Sequence, residues 1–151
     1  MAILAAGAVL LALLGTAPDA DAAAMVDEVN RARAVEGLAP LRIEPRLSLA
    51  ASEHARDMAE RRFFSHEGSD GSRVDARVRK AGYAYRLVAE NIAAGQPSPV
   101  EVVDGWMHSD GHRRNILRPS ATEAGVGYAL ADDASGFRHY WVLVLGQPEG
   151  W

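Results

Sequence analysis

The sequence predicts a single α+β domain in which helices occupy the first two thirds of the chain and strands the last third. The chain has 151 residues, the length of one ordinary domain. Through the first two thirds, apolar residues recur every three or four positions, which is the period of an amphipathic helix. In the last third, two apolar runs at 124–130 and 140–145 are joined by the polar segment 131–138, the pattern of a hairpin of two buried strands.

The composition excludes several classes of protein and of site. The chain contains no cysteine, which excludes a disulfide framework, a cysteine-ligated metal and a thiol nucleophile. Any metal ligands must therefore be His, Asp or Glu. The 16 basic and 20 acidic residues give a net charge of −4 and form no long run of either sign. Because a nucleic-acid binder needs a basic face, we expect no nucleic-acid partner.

The N-terminal segment resembles a secretory leader. Residues 2–14 are all apolar or glycine, a run too short to span a bilayer but of the length of a signal-peptide core. Ala20-Asp21-Ala22 fits the small-x-small cleavage pattern, although no Lys or Arg precedes the apolar run. We expect residues 1–22 to be a signal peptide and residues 23–151 to be a domain without a membrane span, secreted or held in the cell envelope. A buried N-terminal helix and an uncleaved anchor are the alternatives.

Two helices are predicted before residue 65. The spacing of apolar residues over 26–35 predicts a first helix that ends at Gly37, and residues 41–45 form a short extended link. A strongly amphipathic helix follows over 47–62. Its apolar side consists of Leu47, Ala50, Ala51, His54, Ala55, Met58 and Ala59, so that His54 is expected to be a core histidine.

Shorter elements follow in the middle of the chain. A helix over 73–81 is expected to stop at a glycine, and a short strand to follow over 86–90. Ser98 and Glu101 have the spacing of a capping box, which predicts the start of another helix. We expect that helix to break at Asp110-Gly111 and one further turn of helix to precede the strands.

Six short motifs occur in order along residues 25–146. They are Asn30 with Arg33 followed by Gly37-Leu38-Ala39-Pro40-Leu41, Ala51-x-x-His54-x-x-Asp57-Met58-Ala59, Phe64-Ser65-His66, Ala89-Glu90-Asn91-Ile92-Ala93, Trp106-Met107-x-Ser109-x-Gly111-His112-Arg113-x-Asn115-Ile116-Leu117, and Gly125-Val126-Gly127. Together they resemble the CAP superfamily in its bacterial form, the family of cysteine-rich secretory, antigen 5 and pathogenesis-related 1 proteins. The resemblance implies a CAP-type α-β-α sandwich and an extracellular setting, consistent with the leader.

The resemblance also implies a central cleft, lined in this family by two histidines and two acidic residues. By motif, three of these positions are His66, Glu90 and His112, whereas the fourth is Ser109, where many eukaryotic members have Glu. Two imidazoles and one carboxylate leave an open coordination position, as in catalytic zinc sites. His66, His112 and Glu90 are therefore candidate ligands for zinc or another divalent metal, and the loss of the fourth acidic residue predicts weaker or absent binding.

The same residues permit other interpretations. Ser109 with His112 or His66 and Glu90 supplies a hydroxyl nucleophile, a base and an orienting acid, although no Gly-x-Ser-x-Gly elbow surrounds the serine. A purely structural His-Glu-His cluster that closes the floor of the cleft is another interpretation. His108 and His112 are four residues apart but lack the Glu that follows the first His in zinc proteases.

Three hypotheses for function follow. The first is a secreted binding module, not an enzyme, whose cleft holds a small-molecule or lipid ligand, as the resemblance implies. The second is a hydrolase that uses the His/Glu/His cleft, with or without a divalent metal. The third is a structural or interaction domain of the cell envelope with a vestigial cleft. The fold does not choose among them, because one fold hosts many functions.

Overall fold

The computed structural model describes residues 17–132 and 136–150, and it consists of helices on both faces of a four-stranded sheet. The predicted signal-peptide core at 2–14 lies outside the described residues. Within the described residues, no helix is both long enough and apolar enough to cross a membrane. The elements are α1 (Ala17–Val35), β1 (Arg42–Ile43), α2 (Pro45–Arg61), α3 (Val74–Lys80), β2 (Tyr85–Ala94), α4 (Pro99–Met107), α5 (Asp110–Ile116), β3 (Glu123–Leu130) and β4 (His139–Pro148).

The sheet has the strand order β1-β3-β4-β2. The predicted hairpin is confirmed, since β3 and β4 pair antiparallel, and β2 pairs antiparallel with the other side of β4. The two-residue strand β1 pairs parallel with the start of β3. Strand β4 is therefore central and buried on both faces, and β2 forms one edge of the sheet.

Two hydrophobic cores, one on each face, make the α-β-α sandwich that the sequence and the family resemblance predicted. On one face, α1, α4 and α5 pack on Trp141, Leu143 and Leu145 of β4. On the other face, α2 and α3 pack on the alternate residues of the same strand, Tyr140, Val142 and Val144. Because side chains alternate along a strand, one apolar run supplies both cores.

Helix α1 departs from the prediction in two respects. It begins at Ala17 and so runs through the predicted cleavage point after Ala22. Near its end, Val35, which was predicted on the apolar side, is 85% exposed, whereas Arg33 is buried. The predicted stop is correct, since Gly37 has a φ of +71°, a left-handed conformation that glycine adopts without a steric penalty.

Helix α2 begins at Pro45, two residues before its predicted start, helix α4 begins as predicted, and the break before α5 lies elsewhere than predicted. All seven residues of the predicted apolar side of α2 are buried. The hydroxyl of Ser98 accepts a hydrogen bond from the backbone N–H of Glu101 and caps α4. The break falls at His108 and Ser109, and Asp110 is the first helical residue of α5. Ser109 therefore lies at a helix boundary and not within a continuous helix.

The backbone of α2 lies directly against β3 at two glycines. A Cβ atom on Gly125 would lie 2.1 Å from the backbone carbon of Leu47, and one on Gly127 would lie 2.3 Å from that of Ala51. No side chain fits such a gap, so the Gly-Val-Gly motif is a packing requirement. The contact fixes the height of α2 above the sheet, and with it the segment that follows α2.

We expect Gly127→Ala to lower the free energy of unfolding by at least about 3 kcal/mol, because the added methyl overlaps the α2 backbone. Gly105→Ala in α4 is the matched control, since its Cβ would meet nothing closer than Gln96 at 4.0 Å. In a helix interior this change stabilises by roughly 0.5–1 kcal/mol. Chemical denaturation of both variants measures the difference, and equal stabilities would contradict the packing argument.

Candidate functional site

The four predicted site residues lie at the β2 edge of the sheet, where the two helical layers approach each other. His66 lies in the segment between α2 and α3, and Glu90 lies on β2. Ser109 immediately precedes α5 and His112 lies within it. Each layer therefore contributes one histidine to this edge of the sheet.

Glu90 and His66 form one hydrogen-bonded pair. The Glu90 side chain is only 2% exposed, and its Oε1 lies 2.8 Å from Nδ1 of His66. An ionised carboxylate only accepts hydrogen bonds, so Nδ1 of His66 carries the proton and donates it. This leaves Nε2 as the ring nitrogen without a protein partner in this pair, on a side chain that is 47% exposed.

Arg77 of α3 is the main site residue that the sequence analysis missed. Its Nη2 donates to Oε2 of Glu90 at 2.6 Å, and its Nη1 donates to the carbonyls of His66 at 3.1 Å and Ser72 at 2.7 Å. One buried guanidinium thus neutralises Glu90 and holds both ends of the segment that carries His66. The available signal was its spacing, since Arg77 lies three residues after Val74, on the apolar side of a short helix.

Ser109 and His112 form the second pair. The Ser109 Oγ lies 3.0 Å from Nδ1 of His112, and the carbonyl of His112 accepts a hydrogen bond from Asn91 Nδ2 at 3.1 Å. Asn115 donates in turn to Asn91 Oδ1 at 2.9 Å, which gives both asparagines a bonding role beside the site. Burial lowers the pKa of His112, and the nearby charge of His66 lowers it further. His112 is therefore neutral at pH 7.

Both histidines line an open cleft of about 410 Å³. Their Nδ1 atoms are occupied by Glu90 and Ser109, so each ring has only Nε2 left for a bound molecule. Glu90 and Ser109 stand behind the histidines and do not line the cleft themselves. The remaining lining residues are Phe64, Ser65, Glu67, Arg73 and Ile92.

The donor set does not fit a three-ligand metal site. Each Glu90 oxygen already accepts a hydrogen bond, one from His66 and one from Arg77, and the Arg77 charge neutralises the carboxylate, which makes Glu90 a poor metal ligand. Across residues 17–132 and 136–150, no three His, Asp or Glu side chains are grouped so that they could hold a metal ion. The metal prediction for His66, His112 and Glu90 is thereby reduced to two imidazole nitrogens, one fewer than the three protein ligands of catalytic zinc sites.

His54 is a core histidine, as predicted, and it hydrogen-bonds the segment that carries His66. It is 1% exposed, and its Nε2 donates to the carbonyl of Ser65, next to His66, at 2.9 Å. Its Nδ1 is buried without a partner among the described residues. Burial lowers the pKa of His54, and the charge of Arg77 acts in the same direction. Protonation of this ring would place a charge on an unbonded buried nitrogen.

The sequence matches a family model and a bacterial relative. The sequence model of the cysteine-rich secretory protein (CAP) family matches residues 26–145. The chain is 43% identical over 105 residues to the uncharacterized protein YkwD of Bacillus subtilis (strain 168), a match that covers 69% of this chain and 40% of the relative. The chain thus spans well under half the length of that relative.

Two solved structures share the fold. An extracellular protein containing an SCP domain from Bacillus anthracis has a TM-score of 0.77 at 25% identity, and the match covers 86% of this chain and 41% of the other. An outer surface protein of Borrelia burgdorferi has a TM-score of 0.72 at 21% identity, with 84% and 92% of the two chains covered. The second likeness shows the fold alone.

We expect Arg77→Leu to destabilise the protein by about 3–5 kcal/mol, because it leaves the buried Glu90 carboxylate without its cation. Arg79→Leu on the same helix is the control, since Arg79 is exposed and its pair with Asp75 contributes at most about 1 kcal/mol. Denaturant unfolding measures both values. The double variant Arg77→Leu/Glu90→Leu should recover part of the loss, and a double variant as unstable as the sum of the single changes would contradict the pairing.

The lowered pKa of His54 also predicts how stability depends on pH. As pH falls through about 6.5, the unfolded chain takes up a proton at His54 while the folded chain does not. The free energy of unfolding therefore falls below about pH 6.5, by about 1.4 kcal/mol for each unit by which folding lowers the pKa. His54→Gln removes this contribution and should give a flatter profile between pH 7 and 5 in thermal unfolding. Parallel profiles for the two proteins would refute the assignment.

Proposed function

Because the chain belongs to the cysteine-rich secretory protein (CAP) family, as its motifs predicted, we propose that it is a secreted CAP-domain protein whose cleft binds a small or lipidic ligand at or outside the cell envelope. One observation carries the proposal. The residues that catalysis would require are divided into two separate pairs, and the two histidines face a cleft that combines apolar side chains, Phe64 and Ile92, with a few polar ones. This arrangement is that of a binding site.

The contents of the cleft suit recognition of a small ligand. Its volume lies in the range of about 300–1,000 Å³ that is typical of small-ligand sites. Phe64 and Ile92 supply apolar surface, and the Nε2 atoms of His66 and His112 supply a few fixed polar contacts. Apolar walls with a small number of oriented polar groups are the general composition of such sites. The fixed orientation of both rings reduces the entropy lost when a ligand binds.

Secretion is supported by the leader and by relatives. Residues 1–22 have the pattern of a signal peptide. The structurally similar Bacillus anthracis protein is described as extracellular. The absence of cysteine is compatible with this setting, because the domain has two apolar cores and does not depend on disulfides. The proposal therefore places the mature domain at or beyond the cell envelope.

A hydrolase is the second candidate, favoured by the 3.0 Å contact between Ser109 Oγ and His112 Nδ1. A neutral histidine in that position can accept the serine proton. However, Glu90 is bonded to His66, so no carboxylate orients His112 as the acid of a serine triad orients its histidine. Ser109 and His112, the candidate nucleophile and base, have no acid bonded to them. Glu90, the candidate acid, is bonded to His66, which has no nucleophile beside it.

Native mass spectrometry of the protein purified from the medium of a bacterial host tests the binding proposal. We expect a mass that corresponds to cleavage after Ala22, with an additional bound mass that is lost in the double variant His66→Ala/His112→Ala. Because a ligand that binds only the folded state raises its stability, removal of the bound molecule should also lower the melting temperature. Ile43→Ala, at the opposite edge of the sheet, is the control and should retain the ligand. A ligand-free native protein would favour the structural role with a vestigial cleft.

Turnover of a p-nitrophenyl ester separates the hydrolase from the binding module. The binding proposal predicts no release of nitrophenol above the rate in buffer, and the same background rate for Ser109→Ala. Turnover that exceeds this background in the native protein and disappears in both Ser109→Ala and His112→Ala would establish the hydrolase instead. Turnover that persists unchanged in both variants would point to a contaminating enzyme.

A further inference from the structure

A second cavity, which we call the α2–α3 pocket, lies apart from the cleft. It is bounded by residues 53–57 of α2, residues 69–72 of the segment that follows α2, and residues 76–80 of α3. It shares no lining residue with the cleft. Its volume of about 350 Å³ lies in the range of about 300–1,000 Å³ that is typical of small-ligand sites. The pocket is therefore large enough to hold a small molecule of its own.

Hydrogen bonds hold the segment that forms one wall of the pocket. The backbone N–H and the hydroxyl of Ser69 donate to the two carboxylate oxygens of Asp57, at 2.8 and 2.6 Å. The backbone N–H of Ser72 donates to Asp70 Oδ1 at 2.9 Å, and the Ser72 carbonyl accepts from Arg77 Nη1 at 2.7 Å. The wall is thus formed before a ligand arrives, and little entropy is lost in ordering it on binding.

His54 lines this pocket and supplies an unused hydrogen-bond acceptor. Its Nε2 donates to the Ser65 carbonyl, so Nδ1 of the neutral ring bears a lone pair. Nδ1 is buried, and it has no hydrogen-bond partner among the described residues. Leaving a buried acceptor without a partner is unfavourable. A molecule in the pocket that donates a hydrogen bond to Nδ1 would therefore be bound more tightly for doing so.

Two charged side chains of the lining have no partner within the described part of the chain. Most of the others form ion pairs, which are Arg56–Glu60, Asp57–Arg61 and Arg77–Glu90. Glu53 on α2 and Lys80 on α3 form neither an ion pair nor a side-chain hydrogen bond with any described residue. Each of the two helices thus presents one uncommitted charge to the pocket, and the two charges have opposite signs.

We propose that the α2–α3 pocket is a second binding site, and that it takes a free amino acid with a small or polar side chain. The ammonium group of the amino acid donates to His54 Nδ1 and to the Glu53 carboxylate, and its carboxylate binds the Lys80 ammonium. A site with one uncommitted charge of each sign selects a zwitterion, because a simple amine or a simple acid satisfies only one of them. The mostly polar lining accounts for the small or polar side chain.

Isothermal titration tests the proposal with alanine and serine, each as both enantiomers. For a probe that binds, the amide presents only the ammonium group and the N-acetyl derivative presents only the carboxylate, on the same carbon skeleton. We expect at least one of the free amino acids to bind, and to bind about tenfold more tightly than either blocked form, since each blocked form lacks one charge-assisted contact. Equal binding of the free and blocked forms, or no heat of binding for any of the four amino acids, would overturn the proposal.

Variants of the two uncommitted residues assign the charged contacts. Glu53→Gln and Lys80→Met should each weaken the binding of the amino acid about tenfold, and neither residue belongs to the core. Asp75→Asn and Arg79→Met are the matched controls, because they make the same changes of charge on α3 outside the lining of the pocket. Binding within about twofold of the native value in both pocket variants, or an equal loss in the controls, would contradict the assignment.

Nitrogen-15 NMR of the histidine side chains shows whether His54 takes part. The Nδ1 resonance of His54, assigned by its loss in His54→Gln, should shift when the bound amino acid is added, because Nδ1 then accepts a hydrogen bond. A purely structural histidine would give no such shift. An unchanged Nδ1 resonance under conditions in which titration shows binding would overturn the role of His54.

This site stands or falls independently of the proposed function, because the pocket and the cleft share no lining residue. The double variant His66→Ala/His112→Ala should bind the amino acid as the native protein does. Loss of amino-acid binding in that variant would place the molecule in the cleft and overturn the second site. Circular dichroism melting of each variant confirms that it is folded.

Discussion

The contact that the rest of the structure depends on is the direct packing of the α2 backbone against β3. At Gly125 and Gly127 the two backbones are so close that not even a methyl group fits between them. This places His54 in the core under the segment that follows α2, where it bonds the carbonyl next to His66. The position of His66 at the cleft thus depends, through α2 and His54, on two glycines in β3, which is separated from the β2 edge by β4.

Two buried guanidinium groups hold the loops of a domain that has no disulfides. On one face of the sheet, Arg33 donates to the carbonyls of Ala39, Ile116, Arg118 and Ala121, and so joins the end of α1 to the segment after α5. On the other face, Arg77 bonds two carbonyls and Glu90. A buried cation is costly to desolvate, and these hydrogen bonds offset that cost. Each arginine thus binds the irregular backbone segments beside one helical layer, which packing alone would not order.

Polar side chains also act as structural supports at the cleft. Glu90 is used to orient His66 and to neutralise Arg77, and Ser109 is used to orient His112. Groups that could act as acid, nucleophile or metal ligand are thereby committed to holding two rings in place. The cleft itself is lined by the two histidines together with Phe64, Ser65, Glu67, Arg73 and Ile92.

Local sequence patterns were enough to predict the helices and strands, whereas the arrangement of the site residues was decided only by the tertiary structure. The face of α2, the Ser98 cap, the β3–β4 hairpin and the family could be predicted because each depends on residues close in sequence or on motif order. The burial of Arg77 and the division of the four site residues into two pairs could not. These depend on which residues of distant segments face each other across the sheet edge, and a single sequence carries no record of those distances.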